Sequence, residues 1–157
     1  DVNGDPNKKM NPPLRSKEDV EAVKEALRNG TIDVIATDHA PHSKEEKSKP
    51  IEKALNGIVG IETSFALSYT YLVKTGILTP LELINKMSTR GAEILDIDRG
   101  TLKVGSIADI ALFDVTNEYE IKEEDFKSKS HNSPFIGMNV YGRTVQTFVA
   151  GKCKYKR

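Results

Sequence analysis

The 157-residue sequence can bury one core of ordinary size or two small ones, and its 38% hydrophobic and 29% charged content is that of a globular chain. Its 23 basic and 23 acidic side chains cancel, and no segment gathers enough Lys and Arg to follow a phosphate backbone, which excludes nucleic-acid binding. No apolar run approaches the ~20 residues that cross a bilayer, and the single cysteine, Cys153, excludes an internal disulfide framework; a reducing, cytoplasmic setting is expected.

Residues 1–15 are rich in Asn, Asp, Pro and Lys, lack a hydrophobic period and read as loop. Ser16, with Asp19 three residues on, caps a helix carrying Val20, Val23 and Leu27 at helical spacing, and Gly30 stops it. Ile32-Asp33-Val34-Ile35-Ala36-Thr37 is short and almost wholly apolar, the pattern of a parallel strand buried on both faces. It gives way to Asp38-His39-Ala40-Pro41-His42, where Pro41 suits a strand exit. The charged stretch from Ser43 to Lys53 reads as loop, and a long helix is expected from about Ile58 to Lys74. Thr79-Pro80-Leu81-Glu82 starts another helix, with Thr as cap, Pro at the first position and Glu three after the cap; it should reach about Met87, with a further short helix from Arg90 to Leu95.

Beyond Arg99 the pattern turns to short strands: Thr101-Leu102, Ile110 to Val115, Tyr119 to Ile121, and a hairpin of Thr144–Val149 and Lys152–Tyr155 about Ala150-Gly151. The order predicts an α/β fold, the terminal helix–strand–helix part of a barrel over 1–96, followed by part of a small β domain over 97–157.

A carboxylate where a parallel strand yields to its loop is well placed for chemistry, because α/β barrels assemble their sites at the carboxyl ends of the strands. Asp38 there could ligate a divalent metal and take a proton from its water, with His42 donating to a substrate oxygen. Equally open from the residues alone is an Asp that caps its own turn beside two solvated histidines.

Five segments carry a family resemblance. Lys9-Met10-Asn11-Pro12-Pro13-Leu14-Arg15, Ala36 to His42, Gly57-Ile58-Val59-Gly60-Ile61-Glu62-Thr63, Ser130-His131-Asn132-Ser133-Pro134-Phe135 and Gly100-Thr101-Leu102 with Gly105 and Ala108-Asp109 occur in the order seen in bacterial-type dihydroorotases, amidohydrolases with a metal-dependent TIM barrel. The resemblance runs over essentially the whole chain. It implies reversible hydrolysis of the cyclic amide of dihydroorotate to carbamoyl aspartate, a step of de novo pyrimidine synthesis. Asp38 would be both a zinc ligand and the proton shuttle, Asn11 and His42 would contact substrate, and the backbone of Asn56 and Gly57 would close over the ring. Asn56 stands where the family often has an aromatic residue.

The same resemblance implies a two-zinc site whose H-x-H pair, bridging acid and further histidines are not in this sequence. Its three histidines, His39, His42 and His131, all lie at or after the last expected barrel strand. A whole barrel needs about 250 residues, so the sequence reads as the carboxyl-terminal portion of a longer, oligomeric protein, and the piece alone is expected to be inactive. An allantoinase or dihydropyrimidinase is the alternative within the enzyme class. A non-catalytic dihydroorotase-like subunit holding aspartate transcarbamoylase is the alternative outside it.

Overall fold

A computed structural model describes residues 2–157 as helices followed by a small antiparallel sheet, a partial α/β fold. The chain forms two compact units, each built from three stretches. One comprises residues up to Ala22, Thr37–Ser64 and Glu120–Asn139; the other comprises Val23–Ala36, Phe65–Tyr119 and Val140–Arg157.

Helix α1 (Lys17–Arg28) begins where expected. The Asp19 N–H donates to Ser16 Oγ at 3.2 Å while the Asp19 carboxylate accepts from the Ser16 N–H at 3.3 Å. Of its apolar positions only Leu27 is buried; Val20 and Val23 are exposed. Helix α2 (Lys44–Lys47) lies in the stretch read as loop, and a reciprocal Ser43–Glu46 capping box starts it. Its charged residues hid that signal.

The segment 32–37 departs from expectation. No ladder pairs it among the described residues, and its side chains are half-buried or exposed rather than buried on both faces. Strand status is conferred by a neighbour, and no described residue pairs with it in a parallel ladder. It is held instead by single bonds: the Ile35 N–H donates to the Lys86 carbonyl at 3.0 Å, and Lys86 Nζ to the Ile32 carbonyl at 2.6 Å. No closed barrel forms among the described residues.

The long helix starts later than its apolar pattern suggests. Helix α3 (Ser64–Ser68) continues into a π-helical turn, Tyr69–Val73. Residues 58–60 are committed elsewhere, since the Ile58 carbonyl accepts from the Ala40 N–H and the Val59 N–H donates to the Asn132 carbonyl. Helix α4 (Pro80–Ile84) has the expected Thr79–Glu82 capping box. It runs through a second π turn, Asn85–Thr89, into α5 (Arg90–Ile94), so the two expected helices are one continuous rod. Leu27, Leu72, Leu78 and Leu83 form the core of this unit, with Ile32, Ile35, Phe65 and Met87 packed around them.

The three-stranded sheet has the order β1 (Ile110–Asp114), β4 (Arg143–Val149), β5 (Lys152–Lys156), all antiparallel. Ala150 and Gly151 both have positive φ, +47° and +75°, as a two-residue hairpin turn requires. Two short strands, β2 (Tyr119–Glu120) and β3 (Asn139–Val140), pair with each other, and Thr101-Leu102 forms no strand. The Phe65 and Phe113 rings stack at 3.6 Å between centroids.

Candidate active site

Two loops of the first unit face each other. The first, 37–42, leaves the unpaired segment at Asp38, whose φ of +42° is left-handed. That conformation is uncommon for a residue with a Cβ, though Asp tolerates it better than most. The exit is pinned by its neighbours. His39 Nδ1 accepts from the Gly60 N–H at 3.0 Å and lies 3.4 Å from the Ile61 nitrogen. A ring nitrogen that accepts carries no proton, so His39 has the Nε2–H tautomer.

The second loop, 54–60, reaches the first by close backbone approach. Gly57 has φ +127°, and a Cβ there would stand 2.6 Å from the Ala40 Cβ and 3.1 Å from His42 Nε2. A Cβ at Gly60 would stand 3.0 Å from the Thr37 carbonyl oxygen. Gly57 therefore requires glycine on steric grounds, and a side chain at Gly60 would make the Thr37 backbone give by a few tenths of an ångström.

Three polar side chains hold this second loop. Lys9 Nζ donates to the Ala54 carbonyl at 2.8 Å and the Glu52 carbonyl at 3.2 Å. Lys47, only 6% exposed, donates to the carbonyls of Leu55 and Gly57, both at 3.0 Å. Burial pushes the Lys47 ammonium below the ordinary lysine range, opposed by the negative charge of Asp5. Asn132, 5% exposed, donates through Nδ2 to the Ala40 and Gly57 carbonyls and accepts through Oδ1 from the His42 N–H.

Between the loops lies an open cavity of about 370 Å³, lined by Met10, Asn11, Pro12, Thr37, Asp38, Ala40, Asn56, Gly57 and Ile58. Asn11, Asp38, Asn56 and Gly57, four of the five residues singled out from the sequence, are thus brought to one cavity. The fifth, His42, does not line it. Its Nε2 lies 2.8 Å from the Asn56 carbonyl, which can only accept, so that nitrogen carries the proton; Nδ1 faces Glu46 Oε2 at 3.6 Å. His42 braces the wall from behind. His131, set aside from the site, ties its own loop through the Ser128 carbonyl and Glu123.

A lone carboxylate is not a metal centre. Among the described residues no three His, Cys, Asp or Glu side chains gather where they could hold an ion. Asp38 offers one oxygen-donor group at the cavity wall, and this chain by itself does not fit zinc.

Lys47 and Asn132 were not legible as site residues. Lys47 sits in a charge run that looks like a solvated face, and Asn132 in a motif expected in the β domain. A buried role for either needs contacts with distant residues, which spacing does not reveal.

The model of the amidohydrolase family matches residues 7–154. The chain belongs to the amidohydrolase family. Within that family it is 55% identical to the dihydroorotase of Geobacter metallireducens over 153 residues, 98% of this chain and 36% of that protein. It is 51% identical to the dihydroorotase of Staphylococcus aureus, over 94% of this chain and 35% of that one. Among solved structures it matches the L-hydantoinase (dihydropyrimidinase) of Arthrobacter aurescens with TM-score 0.90 and 36% identity, covering 96% of this chain and 35% of that one. A D-hydantoinase from a Thermus species matches with TM-score 0.87 and 31% identity. This amidohydrolase chain spans about a third of the length of the relatives it matches. No helix in the described residues is long and apolar enough to cross a membrane.

Proposed function

We propose that this chain is the carboxyl-terminal part of a dihydroorotase, which reversibly hydrolyses the cyclic amide of dihydroorotate to carbamoyl aspartate. The observation that carries the reading is the convergence of Asn11, Asp38, Asn56 and Gly57 on one cavity in a chain 55% identical to a dihydroorotase. A dihydropyrimidinase-type substrate is the second reading, favoured by the high structural overlap with hydantoinases; their identity to this chain is lower, at 36% and 31%.

In the proposed whole protein, residues 1–96 would complete a barrel and 97–157 contribute to a β domain, and Asp38 would be one ligand of a two-zinc centre held mainly by residues outside this chain. When bound, zinc would polarise the amide carbonyl. The work of this chain's own residues is simpler. Asp38, at the wall and open to solvent, accepts a proton from the water whose oxygen adds to the amide carbonyl, and returns it to the amide nitrogen as the C–N bond breaks. Such transfer contributes about 10²–10⁴-fold. The Asn11 carboxamide can donate to or accept from the ring amide. The Asn56–Gly57 backbone forms part of the cavity wall against which the substrate ring would lie. For His42 to meet the substrate carboxylate, its Nε2–H must first leave the Asn56 carbonyl.

The test is a chimera in which this chain replaces the matching segment of the Geobacter dihydroorotase. It should turn over dihydroorotate in preference to dihydrouracil, and Asp38→Asn should lower kcat by about 10²–10⁴-fold. Preference for dihydrouracil, or an Asp38→Asn variant with full activity, would overturn the proposal. The separate 157-residue chain, assayed with excess zinc, should show no turnover.

A further inference from the structure

We infer that Asn132 is a positioning residue of the cavity: its buried carboxamide fixes the spacing of the 38–42 and 56–59 backbones, and so determines where the Asn56–Gly57 wall and the His42 ring stand. The catalytic consequence rests on the dihydroorotase reading; the structural claim does not.

Asn132 Nδ2 donates to the Ala40 carbonyl at 3.0 Å and the Gly57 carbonyl at 3.1 Å. Its Oδ1 accepts from the His42 N–H at 3.1 Å, and its own main-chain carbonyl accepts from the Val59 N–H at 3.1 Å. Two carbonyls can only accept and one N–H can only donate, so the carboxamide has a single allowed orientation; its flipped form would set NH₂ against N–H and oxygen against both carbonyls. Among the common hydrogen-bonding side chains of this length, carboxylate lacks the donors and a hydroxyl lacks one of them. At 5% exposure water cannot readily substitute.

The bonds converge on the groups that shape the cavity. The Gly57 carbonyl receives Asn132 Nδ2 and Lys47 Nζ together, which uses both lone pairs and fixes the peptide plane of a wall residue. The His42 N–H is held by Asn132 while the His42 ring holds the Asn56 carbonyl, so Asn132 fixes the backbone from which that ring reaches the wall. Lys47 differs: its partners lie at Leu55, Gly57 and, at 3.5 Å, the Lys9 carbonyl, and none belongs to the 38–42 loop.

The test reads the His42 ring nitrogens by ¹⁵N NMR in this chain. The native protein should show one tautomer, with the proton on Nε2. Asn132→Asp turns both donors into acceptors facing carbonyls and should replace that signature with a mixture of tautomers, while the methyl signals of Leu83 in the other unit stay native. If Asn132→Asp loses those methyl signals too, Asn132→Ser, which keeps one acceptor for the His42 N–H, is read in its place and should show the same mixing in weaker form. A native His42 signature in the folded Asn132 variant would overturn the inference. In the chimera, Asn132→Ser should raise KM for dihydroorotate about tenfold with kcat held within about threefold, because ground state and transition state lose the same wall. A fall in kcat at constant KM would also count against it. Failure of the unmutated chimera to turn over dihydroorotate would sink the dihydroorotase reading and leave the His42 measurement standing.

Discussion

Replacing Gly57 with alanine puts a number on the loop contact that forms the cavity wall. Two costs arise. A backbone φ of +127° is nearly closed to residues with a Cβ, and holding one there costs about 1–3 kcal/mol. The added Cβ also stands 2.6 Å from the Ala40 Cβ, against about 3.5–4.0 Å for an unstrained carbon pair. Relieving that ~1 Å overlap by shifting packed backbone costs a further ~1–3 kcal/mol. The expected loss of unfolding free energy is therefore about 2–6 kcal/mol, measurable as a lowered urea midpoint by far-ultraviolet circular dichroism. Gly105→Ala is the control: its φ is +92° but nothing lies within 4 Å, so only the conformational cost applies. Ala40→Gly combined with Gly57→Ala removes the clashing atom and should recover stability relative to Gly57→Ala alone. Equal losses at Gly57 and Gly105, or no recovery in the double variant, would refute the steric account.

Leu83→Ala should cost about 2–5 kcal/mol, since Leu83 is 0% exposed, whereas Leu81→Ala, 80% exposed, should change the urea midpoint little. Lys47→Met should flatten the rise in stability at alkaline pH. The folded-state pKa of Lys47 is lowered by burial, so the unfolded chain binds more protons between the folded and unfolded values, and stability climbs with pH across that window. Glu82→Gln should reduce acid lability. Hydrogen bonds from the Thr79 backbone and hydroxyl lower the Glu82 pKa, so its contribution is complete above the unfolded value of about 4.3 and is lost as pH falls through the folded one; urea midpoints from pH 2 to 6 check this.

Local signals in the sequence were reliable where one segment settles its own structure. The Ser16–Asp19 and Thr79–Glu82 caps and the Ala150–Gly151 turn are each closed by residues within a few positions of one another. Signals that depend on distant partners misled. The apolar run at 32–37 has strand composition but no neighbour to pair with, and the helix expected from Ile58 starts at Ser64 because the Ile58 and Val59 backbones bond to Ala40 and Asn132. The site divides in the same way. Asn11, Asp38 and Gly57 belong to the ordered motifs and Asn56 adjoins one, and the four line one cavity; His42 was singled out with them, but its place behind the wall follows from the Asn56 carbonyl. Asn132 bonds to residues 75 to 92 positions away, a separation that no periodicity encodes.

Asp38 stands apart from the other non-glycine residues with positive φ. Those at Asn3, Asp96 and Ala150 lie in or beside turns, where such angles reverse the chain. Asp38 instead ends an extended segment at a cavity wall, and the chain just after it is held by the His39 ring, which accepts from the Gly60 N–H, and by the Ala40 N–H, which donates to the Ile58 carbonyl. An uncommon backbone angle at a cavity wall is the reason for choosing Asp38→Asn as the activity test.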